Sequence, residues 1–131
     1  EMGFAPLTLT PAAADDPLLA GLASPQWIMQ WHNDTFDMPV QAALLMTNPV
    51  CRNQAFRLGR GTYGFQGHFE VTRDLLGLWL AESKAAGYHA AHPDFYARIE
   101  GEMATHITAA LRFCRLVGER WASLVTRRRA A

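Results

Sequence analysis

The chain lacks most of the features that announce a function by themselves. It carries no net charge at pH 7, with twelve Lys and Arg against twelve Asp and Glu and five His counted neutral. That balance argues against a dedicated nucleic-acid binder, which would be basic. It argues equally against an acidic solvating domain. Cysteine is scarce: Cys51 and Cys114 stand far apart, and neither belongs to a C-x-x-C pair. No disulfide framework or zinc ribbon is written in such a pattern. Reduced thiols in a cytoplasmic protein are the expectation. No apolar run approaches the roughly 18 residues of a membrane helix, and no basic segment leads into an apolar stretch at the start. Neither a membrane nor a nucleic acid is expected as a partner. Repeats and low-complexity segments are missing, apart from Arg127–Arg128–Arg129 at the end.

What is present is a 131-residue chain, 50% hydrophobic and 18% charged. That is one domain's length, enough to bury about two thirds of the unfolded surface. The pattern changes near residue 71. Before it lie short β-like runs. Phe4–Thr10 carries Leu7 and Leu9 at period two. Trp27–Trp31 is a compact apolar run, as in a strand covered on both faces. Ala42–Thr47 follows. Gln54–Leu58 and Thr62–Gln66, joined at Gly59–Arg60–Gly61, read as an antiparallel hairpin. Pro11–Pro25 reads as a loop around a short helical turn at Asp16–Leu19.

Beyond residue 71 the spacing is helical. Thr72 is a suitable N-cap, with Asp74 in the first turn. Leu75, Leu76, Trp79 and Leu80 share a face, and Gly87 is a natural stop. Pro93 can open a further helix. There Phe95, Ile99, Met103, Ile107, Leu111, Cys114, Val117, Trp121 and Leu124 recur at steps of three or four. The stripe supports one long helix, or two with a break near Gly101. The residues predict a single domain over 1–131, strand-rich over 1–71 and helical over 72–131. Five strand-like runs followed by helices fit α+β, or part of an α/β sheet.

Two segments could carry chemistry. In Tyr63–Thr72 a strand runs into a polar corner. His68 and Glu70 stand two apart and share a face of an extended backbone. A carboxylate beside an imidazole fixes its tautomer and raises its basicity, as in the base and orienter of a nucleophilic triad. Spacing alone leaves a purely structural pair the commoner reading. His32–Asn33–Asp34–Thr35 follows a buried strand, where α/β proteins place ligands. Asn, Asp and Pro are also ordinary turn residues. Cys51 follows Pro49–Val50 in a loop and is not expected to act as a nucleophile. Cys114 on the helical stripe reads as a buried, inert thiol. The four Trp read as core anchors. His32, Asp34, His68, Glu70, His89 and His92 supply metal-ligand types, but zinc needs three or four to converge. No metal and no cofactor are expected.

Taken together, Trp31–Pro39, Cys51-Arg52-Asn53-Gln54-Ala55-Phe56-Arg57-Leu58-Gly59 and Gly64-Phe65-Gln66-Gly67-His68-Phe69-Glu70-Val71-Thr72 resemble class I glutamine amidotransferases. The nearest likeness is to stand-alone members similar to the amidotransferase domain of GMP synthase. Glu1-Met2-Gly3-Phe4 is similar to the segment that follows the nucleophile region there. The resemblance covers residues 1 to about 72, in order and spacing. It implies a flavodoxin-like α/β domain, represented here by its C-terminal half. It implies hydrolysis of the glutamine side-chain amide to glutamate and ammonia by a Cys-His-Glu triad. His68 would be the general acid/base and Glu70 its orienter. His32, Asp34 and Thr35 would lie at the glutamine site.

The departures carry further expectations. The family's Gly-x-Cys-x-Gly nucleophile turn does not occur in these 131 residues. An upstream segment bearing it is therefore expected, and the chain alone is expected to be inactive. A missing N-terminal half, or a second copy, is the expected partner of the open sheet. The alternative is a non-catalytic binding or oligomerisation module derived from the same fold. Gly67 stands where an aromatic residue commonly precedes the His, and is expected to loosen the packing around His68.

Overall fold

In the computed structural model, residues 1–129 are described, except for the side chains of residues 89, 91, 93 and 127–129. Five strands come first: β1 (Met2–Leu9), β2 (Gln26–Trp31), β3 (Ala43–Thr47), β4 (Ala55–Leu58) and β5 (Thr62–Phe65). A 3₁₀ turn at Pro11–Ala13 follows β1. The helices α1 (Arg73–Ala85), α2 (Tyr88–Ala91) and α3 (Pro93–Arg129) complete the chain. Among the described residues no helix is long and apolar enough to cross a membrane.

The strands form one sheet in the order β2-β1-β3-β4-β5, with every neighbouring pair antiparallel. β1 is the junction. Met2–Leu7 pairs with β2, whereas Thr8 and Leu9 pair with β3. The first half of β1 therefore has no strand on its other side, and α3 supplies the missing partners. Glu102 Oε2 accepts from the Phe4 N–H at 2.9 Å, and Arg98 donates to the Met2 carbonyl at 3.0 Å. Gly3 permits this approach: its φ is 117°, and a Cβ there would collide with both helix side chains.

The hairpin expected between Gln54 and Gln66 is present, with Leu58 opposite Thr62. Gly59 takes the left-handed turn conformation at φ 61°. Phe56 lies across from Gly64, and its ring occupies the space above that glycine. Asp16, fully buried, ties the loop after β1 to this hairpin. It accepts from Arg57 Nε at 2.9 Å and from the Leu18 N–H at 2.9 Å. The helical turn expected at Asp16–Leu19 is recognisable in the Leu19 and Ala20 N–H groups, which both donate to the Asp16 carbonyl.

Two apolar clusters hold the layers together. One gathers Leu7, Leu18, Leu19, Ile28, Leu45 and Met46 with Phe113 and Val117 of α3. The other gathers Phe4, Met29, Val71, Leu76 and Leu80 with Phe95, Ile99, Ile107 and Ala110. Thr72 caps α1 as expected, its Oγ1 accepting from the Leu75 N–H. α3 runs unbroken through Gly101 for 37 residues, about 55 Å at 1.5 Å per residue.

The buried face of α3 differs from the expected stripe. Leu111 and Trp121 are exposed, and Ala110 and Phe113 are buried in their stead. A four-residue step overshoots one helical turn by about 40°. Successive fours from Phe95 therefore walk off the core, and the three-residue steps Ile107–Ala110–Phe113 bring the face back. The Arg127–Arg129 side chains lie outside the described residues.

Candidate active site

His68 is placed by backbone before side chain. Its N–H donates to the Met29 carbonyl at 2.7 Å, an isolated antiparallel bridge to β2. The chain then turns at Phe69–Glu70 rather than continuing as a strand. The contact between the two site residues is thus made across a turn, not along an extended face. Glu70 Oε1 lies 2.8 Å from His68 Nδ1. A carboxylate only accepts, so Nδ1 carries the proton and Nε2 presents a lone pair. Trp79 of α1 stands edge-on to the imidazole, with centroids 4.9 Å apart at 73°, and in turn packs on Trp31. Sequence spacing put Trp79 on the α1 core face, but nothing in the sequence paired it with His68.

The packing under Gly67 is not loosened. The Gln30 side chain occupies the volume that a Cβ at Gly67 would enter. Gln30 is fully buried; its Nε2 donates to the Ile28 carbonyl, while Oε1 has no hydrogen-bond partner.

The His32–Thr35 segment forms a second group, three residues along β2 from Met29, about 10 Å of strand. His32 Nδ1 donates to the Asp34 carbonyl at 2.7 Å. Thr35 Oγ1 lies 3.2 Å from Cys51 Sγ. Asp34 and Thr35 are exposed, and they line a cleft of about 330 Å³ together with His32, Glu1, Cys51 and Arg52. A polar floor lies beneath it. Glu1 accepts from Asn48 Nδ2 at 2.8 Å and from Gln54 Nε2 at 2.7 Å. Sequence reading missed Glu1, Asn48 and Gln54, because their convergence depends on the order of the strands. Of the histidines considered as metal ligands, His92 stacks on Tyr88. The His89 side chain lies outside the described residues.

Cys114 is half-buried rather than buried. Its thiol is held above the usual range, first by burial and then by the Glu70 carboxylate. A thiol so perturbed is a poor nucleophile at neutral pH.

The mixed fold of helices and an antiparallel sheet is that of solved glutamine amidotransferases. A solved glutamine amidotransferase of Thermotoga maritima superposes with a TM-score of 0.74 at 23% identity, over 92% of this chain and 50% of that one. A solved glutamine amidotransferase of Methylobacillus flagellatus gives 0.76 at 23% identity, over 95% and 52%. In sequence, the chain is 40% identical over 72 residues to the glutamine amidotransferase-like protein YfeJ of Salmonella typhimurium. That alignment takes in 55% of this chain and 30% of the relative. No protein-family model matches. The resemblance to glutamine amidotransferases read from the sequence is thus borne out, by a partial match to a protein named glutamine amidotransferase-like and by the fold of two solved glutamine amidotransferases. The chain spans about half the length of these solved relatives and 30% of the curated one.

Proposed function

We propose that this chain is the C-terminal part of a class I glutamine amidotransferase, whose nucleophilic cysteine is supplied from outside these residues. Glutamine is the substrate, and the products are glutamate and ammonia. The observation that carries this reading is the 2.8 Å contact between His68 Nδ1 and Glu70 Oε1, which in the neutral ring leaves the lone pair on Nε2.

Nε2 takes the proton of the cysteine thiol, and the thiolate attacks the side-chain amide carbon. The resulting imidazolium gives its proton to the departing nitrogen, so ammonia leaves and a thioester remains. Water, deprotonated by Nε2, then cleaves the thioester to glutamate and restores the thiol. Glu70 holds the tautomer throughout, and the edge of Trp79 restrains the ring. His32, Asp34 and Thr35 contact the glutamine from their loop. The same protein is expected in the cytoplasm.

The test is glutamate release by the full-length protein. His68→Ala is expected to lower kcat by about 10²–10⁴, and Glu70→Gln by less, with far-UV circular dichroism unchanged. Undiminished turnover in His68→Ala would end this reading.

A further inference from the structure

We propose that Glu1, His32 and Cys51 form a divalent-metal site, with zinc as the ion it fits best. The site shares His32 and its cleft with the glutamine contacts of the proposed function, but its test needs no turnover.

The three side chains come from the residue before β1, the residue after β2 and the loop between β3 and β4. Their donor atoms all lie within 4.8 Å of one another. Nitrogen, carboxylate oxygen and sulfur are the ligand types of zinc, and three protein ligands leave a fourth position for water. The spacing agrees. Two ligands each about 2.0–2.1 Å from a tetrahedral ion stand about 3.3 Å apart, and His32 Nε2 lies 3.5 Å from Glu1 Oε2. A tetrahedral sulfur ligand stands about 3.6 Å from the other two, so Cys51 Sγ, within 4.8 Å of both, needs at most about 1.2 Å of closure.

Each ligand is also held from behind, as metal ligands usually are. The Asp34 carbonyl takes the Nδ1 proton of His32. That leaves the Nε2 lone pair directed into the group, and Nε2 is buried with no hydrogen-bond partner. Asn48 and Gln54 hold the Glu1 carboxylate. The Thr35 hydroxyl lies within donating distance of Cys51 Sγ. Without a cation, an acceptor nitrogen faces a carboxylate oxygen at 3.5 Å, too far for a good hydrogen bond. The cleft also favours a cation: Glu1 and Asp34 give it an anionic lining that Arg52 only partly offsets. Binding exchanges the Cys51 thiol proton for the metal–sulfur bond, and the proton leaves to solvent.

The experiment titrates Co²⁺ into untagged full-length protein, with Zn²⁺ as competitor. The expected result is one ion per chain, with a thiolate-to-cobalt charge-transfer band that Zn²⁺ abolishes. Cys51→Ser should remove the band. His32→Gln should weaken binding at least tenfold. Zinc should raise the melting temperature of the wild type, but not of either variant. Circular dichroism checks that both variants fold. Absence of saturable binding would overturn the proposal. So would a band that survives Cys51→Ser, since the sulfur would then belong to another cysteine. Absence of glutaminase activity from the wild-type full-length protein, with cobalt binding intact, would count against the proposed function alone.

Discussion

The side-chain amide of Gln30 fills the space into which any side chain at Gly67 would point. A residue one position before the candidate base is therefore fixed by a buried glutamine on the neighbouring strand. Gly67→Phe should destabilise the protein by about 1–3 kcal/mol, the usual cost of overfilling a packed site. In a Gln30→Ala background the same change should cost clearly less. Urea unfolding of the four proteins measures the coupling; equal costs in both backgrounds would refute the pairing.

Asp16 is fully buried and serves Arg57 and the Leu18 N–H at once. Removing one partner of such a pair typically costs 3–5 kcal/mol. Arg57 is partly exposed and can turn to water, so about 3 kcal/mol is expected for Asp16→Ala. Urea unfolding midpoints measure this. A loss under 1 kcal/mol would mean the contact contributes little.

Cys114 should alkylate with a pH profile displaced above that of free cysteine, since burial and then Glu70 both disfavour its thiolate. Glu70→Gln should move the profile part of the way down. Iodoacetamide labelling followed by peptide mass spectrometry reads this site alone. The folded state holds the Cys114 proton more tightly than the unfolded chain. This group's contribution to stability is thus complete below the unfolded thiol's pKa and lost as pH rises through the folded one. A profile matching that of glutathione would contradict the assignment.

The cap of α1 should be worth about 1 kcal/mol. Thr72 Oγ1 accepts from the Leu75 N–H at 3.1 Å. Thr72→Ala should lose this and Thr72→Ser should keep it, as measured by thermal unfolding. Equal melting temperatures for the two variants would show that the cap is dispensable.

Local chemistry was legible in the residues; assembly was not. The five strands, the Gly59 turn and the Thr72 cap follow from alternation, glycine placement and capping preference, each written within a few residues. The sheet order β2-β1-β3-β4-β5 depends on pairings across distant segments, and no local pattern encodes it. Hence the nearness of His68 and Glu70 could be read from their spacing, but not the turn that brings them together. Gln30 beneath Gly67, Trp79 beside His68, and Glu1 beside Gln54 could not. The α3 stripe failed at Leu111 because repeated fours drift around the helix, while the core stays in place.

Arg98 and Glu102 reach from α3 to the peptide groups of Met2 and Phe4, in the positions a further strand would take. Half of an inner strand would otherwise show free donors and acceptors, a template for pairing with another molecule. The helix closes that template with two side chains, which form an ion pair with each other at 2.7 Å. The arrangement protects against edge-to-edge aggregation without lengthening the sheet.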